Sequence, residues 1–163
     1  MTLVGIPLGT VSLLHPKRLE DVGVEIREPP GQSLYEKIRH INDNPKRRIG
    51  LTAFSFRDLG LETYCQTKDI YEAAETEGTE MVPYSTVLQI QVEHPTLFHP
   101  GLWASVCGKR LPFRKCLVGV KPIIGSDGQQ YVVEISEGLF RFRRASPFDE
   151  WPDEVFWVFT TWD

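Results

Sequence analysis

Val120-Lys-Pro-Ile-Ile-Gly-Ser-Asp-Gly-Gln-Gln-Tyr-Val-Val-Glu-Ile-Ser-Glu-Gly-Leu-Phe-Arg-Phe142 reads as a β-meander. A tight turn at Asp127-Gly128 pairs Ile124 with Tyr131, Pro122 with Val133 and Val120 with Ile135. A second turn at Glu137-Gly138 pairs Ile135 with Phe140, Glu134 with Arg141 and Val133 with Phe142. The two registers agree. One face collects Val120, Pro122, Ile124, Tyr131, Val133, Ile135, Phe140 and Phe142, and the other sets Lys121, Glu134 and Arg141 in a cross-strand charge ladder. Pro122 has no amide to donate, so its strand keeps one unpaired edge.

Downstream, Glu154-Val-Phe-Trp-Val-Phe-Thr-Thr-Trp162 is apolar on both faces, because side chains alternate along a strand. Such a strand belongs in the middle of a layered domain, or gives one face to a ligand or partner.

Upstream, Val22, Val24 and Ile26 alternate with polar residues and predict a short strand stopped by Pro29-Pro30. Ser33 with Glu36 three residues on predicts a capped helix to about Asn42, its apolar face formed by Leu34, Ile38 and Ile41. Ile49 to Phe56 is strand-like in composition. Leu61, Tyr64, Cys65, Lys68, Tyr71 and Ala74 recur at helical spacing and predict a second amphipathic helix ending at Gly78, with Cys65 on its inner face. Strict alternation from Val82 to Val92 predicts a strand with one wet side. From His94 to Lys115 no period holds, and the prolines and glycines there mark an irregular connection of the kind that often bears function.

Nothing repeats at a fixed period, and the breaks at Pro29-Pro30 and Asn44-Pro45 leave pieces too short to fold alone. Residues 1–163 therefore read as one α+β domain. About six mostly antiparallel strands form a bent sheet, two helices pack on one side of it, and a β-meander lies towards the C-terminus. A chain of 163 residues buries roughly two thirds of its unfolded surface without a disulfide or metal. The first fourteen residues are apolar but broken by Gly5, Pro7 and Gly9 and lack a basic leader, which predicts a first strand or extended arm. No stretch approaches the ~20 apolar residues of a membrane span.

The net charge of −4 disfavours a general phosphate-backbone binder. That charge is uneven: Glu62 to Glu80 holds six acids against Lys68 alone, while Lys109, Arg110, Arg114, Lys115 and Lys121 form an acid-free basic run. Such polarity steers a protein partner or self-association. The three cysteines, Cys65, Cys107 and Cys116, form no C-x-x-C pair, which excludes a disulfide framework and fits a reducing, cytoplasmic setting.

His94, His99, Cys107 and Cys116 contain the two nitrogens and two sulfurs of a tetrahedral zinc set, but their spacing matches no standard finger. No metal or other cofactor is expected. Cys65 or Cys107 could act as a nucleophile only beside a base such as His94 or His99. No G-x-S-x-G elbow, P-loop, G-x-G-x-x-G or H-E-x-x-H occurs. The Arg141-Phe-Arg-Arg144 and Lys109 to Lys115 runs place bases beside aromatics, yet Phe140 and Phe142 are turned inward by the meander register. That leaves nucleic acid without a stacking platform.

These residues point to a small intracellular binding protein without catalytic activity, an inhibitor, immunity-type or assembly factor with a protein partner and a capacity to dimerise. Trp103, Lys109, Arg110, Arg114 and Trp151 are its expected contact residues, since tryptophan and arginine dominate interface energetics. The rival reading is a small enzyme or ligand-binding domain. In it a pocket of the curved sheet is bordered by the 94–115 connection and the 149–154 loop, with His94, His99, Asp149, Glu150 and Asp153 at its mouth.

Overall fold

The computed structural model describes residues 5–14, 16–98, 103–106 and 109–161, of which 103–106 and 109–112 are described by backbone alone. The strands and helices in chain order are β1 (Ile6–Val11), β2 (Glu25–Arg27), α1 (Leu34–Arg39), β3 (Ile49–Phe54), β4 (Cys65–Gln66), α2 (Thr67–Thr76), α3 (Tyr84–Val87), α4 (Ile90–Glu93), β5 (Trp103–Val106), β6 (Lys109–Pro112), β7 (Lys115–Ile124), β8 (Gln130–Ser136), β9 (Leu139–Arg144), β10 (Glu150–Trp151) and β11 (Trp157–Thr161). The fold is α+β. A seven-stranded open sheet runs β1-β3-β11-β7-β8-β9-β2, and β10-β4 and β5-β6 form separate two-stranded ladders.

β11 lies inside this sheet, antiparallel to β3 and parallel to β7, and Trp157, Val158, Phe159 and Thr160 are all buried. The two-faced apolar strand is thus satisfied within the chain, by β3 on one side and β7 on the other. The β8-β9 hairpin has the predicted register, Ile135 on Phe140, Glu134 on Arg141 and Val133 on Phe142, with Gly138 at positive φ in its turn.

The β7-β8 pairing departs from expectation. Ile123, not Ile124, faces Tyr131, and beyond an irregularity Val118 faces Val133 and Cys116 faces Ile135. Gly119 to Pro122 bulge out of the ladder, so Ile124 is exposed, and Lys115 takes the place expected of Lys121 in the ladder around Glu134. Pro122 within the bulge has no amide to lose.

Helices cover both faces of the sheet, not one. Directly opposed residues share a side, which sets Trp157, Leu117, Glu134 and Arg141 on one face. There α2 places Tyr71 edge-on against Trp157 and Phe159. The opposite face bears Phe140 and Phe142, and α1 packs Tyr35 edge-on against Phe140.

From Tyr84 onward the alternating stretch forms two short helical turns, α3 and α4, and not a strand. Its start is capped from a distance: the Asp43 carboxylate accepts the backbone N–H groups of Tyr84 at 2.7 Å and Ser85 at 2.9 Å, after Pro83. That tertiary cap prevails over strand propensity. The second amphipathic helix begins only at Thr67, after β4, so Cys65 lies on a strand and not on the inner helical face. Inside the 94–115 connection, β5 and β6 pair Trp103 with Pro112 and Val106 with Lys109.

Candidate functional site

β7 and β11 run together only at Leu117 and Val118, after which the bulge carries β7 away. The segment Thr79–Val82 wedges into the opening. Glu80 exchanges backbone hydrogen bonds with Thr160 on β11, and the N–H of Val82 donates to the carbonyl of Gly119 on β7 at 2.9 Å. Met81 is therefore held at the fork by bonds on both sides of it, and the residue is 48% exposed.

The bulge would strand its carbonyls without these neighbours, because buried backbone oxygens need donors. Gly119 O is taken by Val82, Val120 O by the Tyr71 hydroxyl at 2.6 Å, and Lys121 O by the Tyr84 hydroxyl. Burial pushes both phenols up from their ordinary value, and the Asp43 charge adds to the effect at Tyr84. Both therefore serve as fixed donors rather than proton-transfer groups near neutral pH.

Three adjoining grooves share Met81. One of about 470 Å³ runs along Tyr71, Ala74, Glu75 and Phe159. Another of about 550 Å³ runs between Lys37 and Ile41 of the α1 end and Lys121 to Ile124 of the bulge. The third, about 400 Å³, is bordered by Pro45, Arg47 and Thr160. Ile41, Met81 and Ile124 are among the large exposed apolar residues, and all three line this system. Lys37 bridges the second groove's ends by donating to the Ile124 carbonyl at 2.7 Å. The first two grooves are mainly apolar, edged by Glu75 and Glu80 in the first and by Lys37, Asp43 and Lys121 in the second, and the third is mixed, with Arg47, Glu80 and Thr160 beside Pro45, Ile49 and Pro83.

The residues expected from sequence lie elsewhere. Trp151 is buried, not an exposed contact: it pairs with Cys65, donates from Nε1 to Thr67 Oγ1 at 2.8 Å, and packs edge-on against Trp157. Trp103, Lys109 and Arg110 are placed by backbone on β5 and β6, and Arg114 is exposed beyond them. His94 bonds through Nε2 to the Thr10 carbonyl at 2.7 Å and lies against Gly9 of the edge strand β1. Asp149 accepts the Ser146 N–H at 2.8 Å within its own turn, and Glu150 and Asp153 lie on or beside β10. His94 lines a small pocket of about 70 Å³ with Val24, Gln91, Phe98 and Gly138.

His99 and Cys107 lie outside the described residues. Cys116 is buried on β7, where the lack of solvent raises its thiol well above the usual range. Among the described residues no group of His, Cys, Asp or Glu is gathered as a metal site. Nor, among the described residues, is any helix long and apolar enough to cross a membrane.

Relatives add nothing to this geometry. Protein-family models, curated proteins and solved structures all give no match to the chain. The site must be read from its own chemistry.

Proposed function

We propose that this chain is a non-catalytic binding protein, acting in the cytoplasm on a protein partner, and that the grooves around Met81 are its contact surface. One observation supports this above others: a half-exposed methionine is fixed at the point where two mainly apolar grooves and a third, mixed polar and apolar one meet. Contiguous exposed apolar surface with a polar border is the ordinary form of a protein-binding patch, and the pliable thioether of methionine adapts to a partner's shape. Of the polar groups lining the grooves, the Tyr71 and Tyr84 hydroxyls and the Asp43 carboxylate are committed to backbone groups, while Glu75 and Glu80 give the first groove an acidic edge suited to a basic group of a partner. Free thiols at Cys65 and Cys116 fit a reducing compartment.

The test is capture from native lysate by the tagged protein, by Met81→Glu and by the control Glu72→Gln on the outer face of α2. A stoichiometric protein retained by wild type and control but lost with Met81→Glu is the expected result, and its mass distinguishes a heterologous partner from a second copy. Thermal melts check that Met81→Glu stays within about 0.5 kcal/mol of wild type, as for an exposed site. Equal retention by all three proteins, or no retained protein, refutes the reading.

A further inference from the structure

A second feature, independent of the grooves, lies on the sheet face that bears Trp157. Glu134 is buried there, its side chain only 7% exposed, while the side chains of Lys115, Arg141 and Arg143 around it are 62%, 47% and 32% exposed. Arg143 donates to Glu134 Oε1 at 2.8 Å. Lys115 Nζ stands 3.9 Å from the same oxygen and Arg141 Nη1 stands 3.9 Å from Oε2, both beyond hydrogen-bond length. Lys115 and Arg141 are thus drawn to the carboxylate without giving it their hydrogen bonds. Arg143 is also stacked over the Trp151 ring, 5.5 Å from its centroid, so Glu134 is not its sole anchor.

Three cations converge on one carboxylate, which leaves a local charge of +2 in a chain whose net charge is −4. We propose that Lys115, Arg141 and Arg143 form a binding site for a tetrahedral dianion, the chemistry of a phosphate monoester, with Glu134 as the internal counter-ion. A monoester near pH 7 has a charge close to −2 and three acceptor oxygens, which matches the residual charge and the three converging donors. A carboxylate ligand is planar and singly charged, and a phosphodiester has one charge per phosphate, so each leaves part of the array uncompensated. Arg27 lies opposite Arg141 in the next strand and is already engaged by Glu25 at 3.4 Å, so that pair borders the site.

The experiment titrates the intact protein with inorganic phosphate and with phenyl phosphate at fixed ionic strength. Acetate and dimethyl phosphate are the controls, and the arginine side-chain NMR signals are followed. Saturable shifts at Arg141 and Arg143 with a Kd on the order of 1 mM are expected for both phosphates. Arg141→Gln should weaken binding by about tenfold, since it removes a charge-assisted donor. Glu134→Gln should tighten it severalfold by removing the competing charge; should that variant fail to fold, Lys115→Gln gives the same test in the weakening direction. Absence of saturable shifts, equal affinity for acetate or dimethyl phosphate, failure of phenyl phosphate to bind, or weaker binding by folded Glu134→Gln would overturn the assignment.

Discussion

Removing the Tyr71 hydroxyl tests the account of the β7 bulge with little else disturbed. In Tyr71→Phe the ring keeps its edge contacts with Trp157 and Phe159, at 5.9 Å and 5.6 Å between centroids, so the apolar packing is retained. What is lost is the donor to the Val120 carbonyl at 2.6 Å, next to a fully buried side chain. A buried acceptor left without a donor costs about 1–3 kcal/mol. For a chain of this length a loss of about 2 kcal/mol lowers Tm by roughly 4–8 °C. Urea unfolding followed by tryptophan fluorescence measures it, with Tyr84→Phe as the second corner of a cycle, because Tyr84 serves the adjacent Lys121 carbonyl. The two carbonyls belong to one bulge, so the losses should couple by at least about 0.5 kcal/mol. A Tyr71→Phe protein within about 0.5 kcal/mol of wild type would show that the bulge does not depend on these hydroxyls, and the rigid support of the Met81 fork would go with it.

Three further outcomes are expected. Trp151→Ala should destabilise by about 3–5 kcal/mol in the same urea assay, since it empties a buried site between Thr67, Arg143 and Trp157; a change under 1 kcal/mol would return this residue to the surface. Gly119→Ala should cost about 1–3 kcal/mol or more, because the added Cβ would fall 2.2 Å from the Phe159 ring, and an unchanged melting curve would contradict the packing of β7 on that ring. On the alkaline side, burial raises Tyr35 to about 12, with Glu20 adding to it, and raises Tyr71 and Tyr84 above 10.0. A raised folded-state value stabilises fully below the unfolded value and is lost as pH rises through the folded one, so stability should fall from pH 10 upward. Absorbance titration of phenolate that follows ordinary phenols in the folded protein would contradict these burials.

The parts legible in the sequence are those decided locally. The Glu137-Gly138 turn and the alternation on either side fix the β8-β9 register, and the two apolar faces of residues 155–160 require an interior strand. The β7-β8 pairing was legible only in outline, because a bulge at Gly119 to Pro122 leaves no mark in an apolar pattern beyond its glycine and proline. The residues from Val82 to Val92 alternate by composition, but their helices are begun by Asp43, some forty residues before, a contact that no window of sequence contains. The Met81 grooves escaped sequence reading for the same reason, being assembled from the α1 end, residues 79–83, β7 and β11. Trp151 was misplaced because its acidic, proline-containing neighbours resemble an exposed turn, while its indole is taken up by α2 and Trp157.

The position of β11 also governs how fast the molecule can form. Among the described strands it alone joins the β1-β3 pair to the meander, and its contacts span the chain: Thr161 meets Thr52 109 positions away, and Thr160 meets Glu80 80 positions away. Such pairings demand the closure of long loops before any burial compensates for the lost chain entropy. The β8-β9 hairpin can form alone in microseconds, whereas the sheet must wait for β11 to dock between two halves that share no other described strand. Substitutions in β11 should therefore slow refolding as well as speed unfolding, and those in the hairpin turn should act on refolding only as far as that turn is present when β11 arrives.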